Sequence, residues 1–332
     1  MSTPRQQLAL AWALLTLLTV GGAAASLQIG AGDLADSGLG PMFLRLRAGR
    51  LFTSFVAGAA LGTAGVLVQG LFRNPLASPS VLGTTAGASF GGTAALVAFG
   101  SSGAVASVVP PELQVPVGCF VGALVALLVL LTVTRRAVGS LALLLTGFVL
   151  SSLFLSASSL LVSLSQETWQ LGRAVIAFTL GGVDGKGARH VGLALPIVLA
   201  GLGAAWGWRH HLDLLLSGDE EATSLGVRVP VVRLWVIVWV SALTAAAVSI
   251  GGSVGFVGLV VPHALRPIVG HGHAALIPAA FVGGGAFLVW ADVLARLAPT
   301  QGELPLGVVT GFIGAPLFLG LLIAGNRSGV NA

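Results

Sequence analysis

The chain has 332 residues, of which 55% are hydrophobic and only 8% are charged. A soluble domain carries about 25% charged residues, so this composition excludes an ordinary soluble enzyme. The formal net charge of +5 comes from single cations scattered between apolar runs, which does not fit a nucleic-acid-binding protein. A polytopic helical membrane protein fits these numbers.

Long apolar runs follow one another along the whole chain. A helix needs roughly 20 predominantly apolar residues to cross a bilayer. Ten segments meet this requirement, which predicts an all-α polytopic membrane protein with ten transmembrane helices in one domain, residues 1–332. The predicted spans are 8–29, 51–71, 81–100, 114–134, 140–163, 190–208, 229–250, 254–270, 274–297 and 305–325.

The loop cations favour an orientation with both termini in the cytoplasm. Nine cations fall in the inner loops of this topology and seven in the outer loops. The bias is small because Arg45, Arg47 and Arg50 lie together in one outer loop. With the distant Arg296, these arginines either reach to lipid headgroups or form a cationic rim for the carboxylates of an external soluble protein.

The small-residue pairs Gly58/Gly62 and Gly118/Gly122 have the spacing that lets membrane helices approach closely. They could pack helices within one subunit or close an interface between two copies. Later in the chain, Asp292 and Arg296 are four residues apart, which predicts an ion pair on one helix face.

The longest predicted inner loop, residues 209–228, carries a helix signature. Ser217 and Glu220 have capping-box spacing, and Asp219 would lie in the first turn, where the helix dipole favours anions. Gly226 can adopt the left-handed conformation that ends a helix. The pattern predicts a short, self-capped helix outside the bilayer, which is either a simple connector or a contact element for a cytoplasmic partner.

A glycine-rich run covers residues 249–258. It predicts either a tight turn with close helix packing or a discontinuous helix beside a pathway. It is not a phosphate-binding loop, which needs Gly, four residues and then Gly-Lys-Ser/Thr. Lys186 is the only lysine, and its surroundings lack this pattern, so we do not expect the chain to hydrolyse ATP. No metal-ligand spacing and no hydrolase motif is visible.

Several motifs follow one another in order between residues 45 and 325. They are Arg73-Asn74-Pro75-Leu76-Ala77 with Leu82-Gly83, Gly255-Phe256-Val257-Gly258-Leu259 with Val261-Pro262-His263 and Arg266, Ala291-Asp292 with Ala295-Arg296, and Glu303-Leu304-Pro305-Leu306-Gly307-Val308-Val309-Thr310 with Ile313-Gly314-Ala315-Pro316. With these motifs, the chain resembles the FecCD-type permeases, the membrane subunits of type II ABC importers for cobalamin, haem and ferric siderophores.

The resemblance implies a cobalamin-importer-permease-like fold in the bacterial inner membrane and a homodimer around a central pathway. It also implies two ATPase subunits on the cytoplasmic side, which bind ATP and Mg, and one periplasmic substrate-binding protein. This chain would be a non-catalytic subunit that binds no cofactor of its own.

The resemblance also assigns roles to residues. The ATPase-coupling helices would contain Ser217, Gly218, Asp219, Glu220, Glu221, Ala222, Leu225 and Gly226. Docking of the binding protein would fall on Arg47, Arg50 and Arg296. The family usually has Arg-Leu-Pro-Arg at the first pair, whereas this chain has Arg47-Ala48-Gly49-Arg50, which keeps the spacing but lacks the proline.

The cargo is left open between haem, which is preferred, a ferric siderophore and cobalamin. An outer gate segment at about 164–189 and the start of the next span contain aromatic, cationic and imidazole groups suited to an anionic chelate, namely Trp169, Arg173, Phe178 and His190. An ion-coupled secondary transporter is the alternative from another class, with Asp292 as its only candidate carboxylate. A structural or receptor membrane protein is a third alternative.

Overall fold

The computed structural model describes residues 4–30, 32–33, 38–101, 109–134, 140–167, 169–298 and 303–329. Within these ranges the chain folds into thirteen α-helices, two short 3-10 turns at 79–82 and 165–167, and no strand. The helices are α1 (Pro4–Gln28), α2 (Gly40–Phe72), α3 (Thr84–Ser101), α4 (Pro111–Thr134), α5 (Ser140–Leu164), α6 (Trp169–Leu180), α7 (Ala188–Gly207), α8 (Arg209–Leu215), α9 (Asp219–Ser224), α10 (Val229–Gly251), α11 (Val257–Val269), α12 (His273–Leu297) and α13 (Leu306–Gly329).

Each of the ten predicted spans coincides with one of these helices. In the described part of the chain, seven helices are long and apolar enough to cross a membrane: α1, α2, α4, α5, α7, α10 and α12. The apolar parts of α11 and α13 are shorter. The all-helical fold is therefore as predicted, whereas the number of ten crossings stays a prediction.

The central element is α2, whose 33 residues give a length of about 50 Å. It begins eleven residues before the predicted span and packs most extensively against α12. A Cβ atom added at Gly58 would collide with the carbonyl oxygen of Gly284, and one at Gly62 with that of Ala280. This glycine pair therefore lets α2 and α12 approach closely within one subunit.

The second glycine pair packs α4 against α3 in the same way. A Cβ atom added at Gly118 would collide with the carbonyl oxygen of Gly91, and one at Gly122 with that of Gly87. Of the two alternatives that the sequence left open, the structure supports packing within the subunit for both pairs.

The glycine-rich run forms the interruption between α10 and α11. Gly252 has a φ of +66°, and a Cβ atom there would lie 2.6 Å from the carbonyl oxygen of Phe178. The Gly182 N–H donates to the Gly251 carbonyl (2.9 Å), and the Leu306 N–H donates to the Gly181 carbonyl (2.9 Å). Backbone hydrogen bonds thus connect the interruption, the end of α6 and the start of α13, and irregular backbone at membrane depth needs such partners inside the protein.

Two helices, α8 and α9, occupy the loop between α7 and α10. The prediction that Ser217 caps the second of them is wrong. Gly218 is the N-cap, with φ +121° and no side-chain capping bond, so α9 begins one residue later than a capping box would require. The predicted C-terminus is as expected: Gly226 has a φ of +87°, and the N–H groups of Gly226 and Val227 donate to the carbonyls of Thr223 and Ala222 in a Schellman motif.

Candidate functional site

Helix α9 is bound to the helix bundle through ion pairs of one acidic residue, Asp219. Asp219 Oδ2 lies 3.0 Å from Arg233 Nη2 on α10, and its Oδ1 lies 3.5 Å from Arg73 Nη2 just after α2. Ala222 on the same helix is buried. Asp219 therefore connects α9 to the end of α2 and to α10.

Helix α8 is bound to a third membrane helix, α12, through Asp213. Asp213 Oδ1 accepts from the backbone N–H of His273 at 3.0 Å and lies 2.6 Å from its ring Nδ1. His273 is the first residue of α12 and is buried. Together, Asp213 and Asp219 join the α8–α9 unit to α2, α10 and α12.

The opposite side of α9 carries no such contacts. Glu220 and Glu221 are exposed in its first turn, and neither has an ion-pair partner among the described residues. Ser217 and Gly226 are also exposed, and Leu225 has 60% of its surface accessible. An exposed apolar side chain flanked by uncommitted acids is suited to contact with a protein partner.

A charge cluster lies at the other end of the bundle, which the predicted orientation places outside. Arg50 Nε lies 2.8 Å from Asp292 Oδ1, and its Nη1 lies 2.6 Å from Glu303 Oε2 and 3.7 Å from Asp184 Oδ1. Asp292 Oδ2 lies 3.0 Å from Arg296 Nη2, which is the ion pair predicted from their spacing. We call Arg50, Asp184, Asp292, Arg296 and Glu303 the outer charge cluster. It joins α2, α12 and the segment before α13.

Arg47 and Arg296 bind the C-terminal end of α1. Arg47 donates to four backbone carbonyls between Leu27 and Gly32 at 2.8–3.0 Å. Arg296 donates to the carbonyls of Ser26 and Ile29. The carbonyls of Ser26, Leu27 and Gln28 belong to the last turn of α1, at the negative end of its dipole, so cations bind there favourably.

The exposed arginine rim expected from the sequence is therefore not present in this structure. The side chains of Arg50 and Arg296 are only 14% and 4% accessible, and Arg47 is buried. A buried guanidinium needs a partner, and the carboxylates and helix carbonyls of the same chain supply it. Arg45, by contrast, is exposed. Docking by Arg47, Arg50 and Arg296 stays a prediction, and it would require these internal contacts to break.

Of the four predicted cargo residues, three lie on α6 and one on α7. Trp169 and Arg173 share α6, with the guanidinium 5.9 Å from the ring centroid, and both are exposed. Phe178, on the same helix, is partly buried and packs against the apolar cluster around Cys119. His190 is on α7 and partly exposed. Within the described residues, no group of three or more His, Cys, Asp or Glu side chains could hold a metal ion.

Sequence reasoning missed the contacts that connect distant segments. Glu303 was noticed only as part of a motif, and Arg73 likewise, while Arg233 and Asp213 were given no role. The scarcity of acids was the signal in the sequence that could have indicated these contacts. Buried arginines need acidic partners, and the chain has only eleven Asp and Glu residues. Which acid meets which arginine depends on the fold.

Comparison with known proteins identifies the family of this arrangement. The model of the FecCD transport family matches residues 9–324. The cobalamin import system permease protein BtuC of Halobacterium salinarum is 36% identical over 301 residues, covering 90% of this chain and 77% of the relative. The hemin transport system permease protein HmuU of Yersinia pestis is 35% identical over 294 residues, covering 85% of this chain and 83% of the relative.

A solved structure agrees with these matches. A metal-chelate type ABC transporter in an inward-facing conformation superimposes with a TM-score of 0.82 at 30% identity, covering 97% of this chain and 99% of that one. The chain therefore belongs to the FecCD transport family and is a multi-pass ABC importer permease of that type.

Proposed function

We propose that this permease forms a homodimer in the bacterial inner membrane, with ten transmembrane helices per subunit and both termini in the cytoplasm. It works with two ATPase subunits on the cytoplasmic side and a periplasmic substrate-binding protein. Together they import a bulky metal chelate, with haem as the expected cargo. ATP and Mg bind to the ATPase subunits.

The observation that carries this proposal is that the α8–α9 unit has one side bound to the helix bundle and another side exposed. Its inward side is joined to α2, α10 and α12 through Asp213 and Asp219, while Glu220, Glu221 and Leu225 are free for a partner. Nucleotide binding on the partner subunits changes the distance between them. The α8–α9 unit transmits this displacement to three membrane helices at once, which opens the pathway on one side at a time.

The cargo assignment rests on the outer surface of α6. The exposed pair of Trp169 and Arg173 offers a flat aromatic surface next to a cation, which suits a planar chelate that carries carboxylates. The similarity to a hemin permease supports haem. The similarity to a cobalamin permease is equally high, so cobalamin and ferric siderophores are the competing cargoes.

The experiment that tests the proposal is uptake into proteoliposomes that contain the permease, its ATPase subunits and the binding protein. We expect ATP-dependent accumulation of haem, followed by its Soret absorption inside the vesicles. Vesicles without the ATPase subunits are the control. Accumulation that persists in this control and follows an ion gradient would mean that the chain is a secondary transporter.

A competition assay separates the cargoes. Excess cobalamin or a ferric siderophore should leave haem uptake unchanged if haem is the substrate. Uptake of labelled cobalamin with no uptake of haem would contradict the cargo assignment but not the ATP-driven mechanism.

A further inference from the structure

A basic cavity of about 420 Å³ lies at the predicted inner end, between the end of α2, α11 and the start of α12. Its polar lining includes Gln69, Arg73, His263, Arg266, His271 and His273. No carboxylate is found among the described residues that line it. None of the roles proposed above uses this cavity.

Several polar atoms in its wall are buried without a hydrogen-bond partner. Arg266 Nη1 is one of them, and His263 Nδ1 and His273 Nε2 are others. His273 and Gln69 are almost fully buried, but their unpartnered atoms, His273 Nε2 and Gln69 Oε1, are acceptors, because the Nδ1 of His273 faces the Asp213 carboxylate. A buried donor that is left unsatisfied is destabilising, and for a guanidinium the penalty is larger than for a neutral group. Arg266 Nη1 is thus a buried cationic donor with no hydrogen-bond partner among the described residues.

The acids nearby do not supply that ligand. Asp213 is engaged with His273, and Asp219 binds Arg233 at 3.0 Å and reaches Arg73 only at 3.5 Å. Arg266 forms no ion pair with any acid in the described part of the chain. An anion from outside the chain would supply the acceptor that Arg266 lacks.

The position of the cavity indicates which anions can reach it. The indole N–H of Trp206 donates to the carbonyl of Ala274, one residue after His273, and the guanidinium of Arg209 lies 3.8 Å from the centroid of the Trp206 ring. Trp and Arg side chains of this kind are typical of the level of the lipid headgroups. In the proposed orientation, the cavity thus lies close to the level of the phosphate groups of the inner leaflet.

We propose that this cavity binds a phosphate-type oxyanion, either free phosphate or the headgroup phosphate of an anionic lipid. Arg266 is the main ligand, since a guanidinium presents two parallel N–H groups to two oxygens of a phosphate. Arg73 and the ring of His263 complete the site. A basic pocket between membrane helices at the cytoplasmic surface is the usual environment for an anionic headgroup.

Occupancy of the site has a consequence for α9, and this step rests on the proposed coupling function. Arg73 is shared between the cavity and Asp219 of α9. A bound anion attracts Arg73 and weakens its contact with Asp219, whereas Arg233 still holds the helix. The anion therefore adjusts how firmly α9 is joined to α2 without detaching it from α10.

Binding to the full-length chain, purified without ATPase subunits and inserted in lipid nanodiscs, tests the site independently of transport. In phosphatidylcholine nanodiscs, titration with inorganic phosphate tests the free anion. In mixed phosphatidylcholine and phosphatidylglycerol nanodiscs, native mass spectrometry tests selective retention of the anionic lipid. Binding in either arm supports the proposal and identifies the source of the phosphate.

The variant Arg266→Gln should lower the affinity for the bound probe about tenfold, because it removes a charge-assisted contact. Arg209→Gln is the matched control, since Arg209 lies at the same end but does not line the cavity. Arg73→Gln serves as a second variant if Arg266→Gln does not fold, and it should weaken binding by a smaller factor.

Two outcomes would overturn the proposal. One is the absence of phosphate binding and of phosphatidylglycerol retention by the wild-type chain. The other is a folded Arg266→Gln protein that binds both probes normally but recovers less ATPase subunit, which would mean that the cavity receives a carboxylate of a partner protein. Loss of haem uptake alone would leave the phosphate site unaffected.

Discussion

The two polar ends of the molecule both carry charges that the sequence suggested for partner contacts, but the fold uses them differently. At the inner end, Glu220 and Glu221 are exposed and uncommitted. At the outer end, the side chains of Arg50 and Arg296 are only 14% and 4% accessible and are bound to acids and carbonyls of the same chain. The acids of the inner end are therefore available to a partner as they stand, whereas docking by Arg50 and Arg296 would first require their internal contacts to break.

The physical reason lies in the cost of burial. An acid in the first turn of a surface helix is stabilised by the helix dipole while it stays in water. An arginine that folds under a helix end loses its water and needs a carboxylate or carbonyl in exchange. The inner end is therefore suited to reversible binding of a partner. The charged groups of the outer end hold α1, α2 and α12 together.

The largest effect is expected from a substitution that breaks the outer charge cluster. Asp292→Ala should lower the free energy of unfolding by about 3–5 kcal/mol, because Arg50 and Arg296 lose a shared partner that is only 1% accessible. Thermal unfolding in detergent measures this. Asp184→Ala is the control, since Asp184 is 87% accessible and should contribute less than about 1 kcal/mol. Equal midpoints for the two variants would show that the cluster is not structural.

The next effect tests the inner end and should appear in association rather than stability. Glu220→Ala combined with Glu221→Ala should reduce the amount of ATPase subunit that co-purifies with the permease about tenfold, as expected for loss of a central contact. The unfolding midpoint should stay unchanged because both side chains are exposed. Arg228→Gln, an exposed change at the same end, is the control. An undiminished yield of ATPase subunit would remove the coupling role from these acids.

A smaller effect concerns the geometry that presents these acids. Gly226→Ala should destabilise the end of α9 by about 1 kcal/mol, because a φ of +87° is unfavourable for a residue with a Cβ atom. No other atom lies within 4 Å of the added methyl group, so the effect is confined to the backbone. Faster hydrogen exchange limited to residues 219–227 would confirm it, and unchanged exchange there would contradict it.

Local patterns in the sequence predicted much of this architecture, and distant contacts account for what they missed. Apolar length placed the span at 140–163, which the structure shows as Ser140–Leu164, and a glycine signal placed the end of α9. The start of α2 at Gly40 was missed because Arg45 to Arg50 interrupt the apolar run. Arg50 is paired with Asp292, which is 242 residues away, and no local pattern indicates a contact of that range.

The candidate site shows the same division between local and distant information. The acids of α9 follow from the sequence around them, whereas the attachment of Asp219 to Arg73 requires the end of α2 to lie beside the loop. The choice of Gly218 rather than Ser217 as the N-cap also depends on position, since the chain turns at a φ of +121° that glycine adopts easily.

The smallest expected effect concerns Lys186 at the outer end of the molecule. Lys186 lines a cavity together with Arg47, Arg50 and Arg296. Burial lowers the pKa of Lys186 below its usual value of 10.5. The charged lysine therefore opposes folding at neutral pH, and this penalty disappears as the pH rises through the lowered pKa towards 10.5. Lys186→Met should accordingly be slightly more stable than the wild-type chain at pH 7, and the difference should shrink in alkaline solution. Unfolding midpoints at several pH values measure the gap. If Lys186→Met is instead less stable at pH 7, then Asp184 or Glu303 stabilises the ammonium, and Lys186 belongs with the outer charge cluster as another cation held by internal acids.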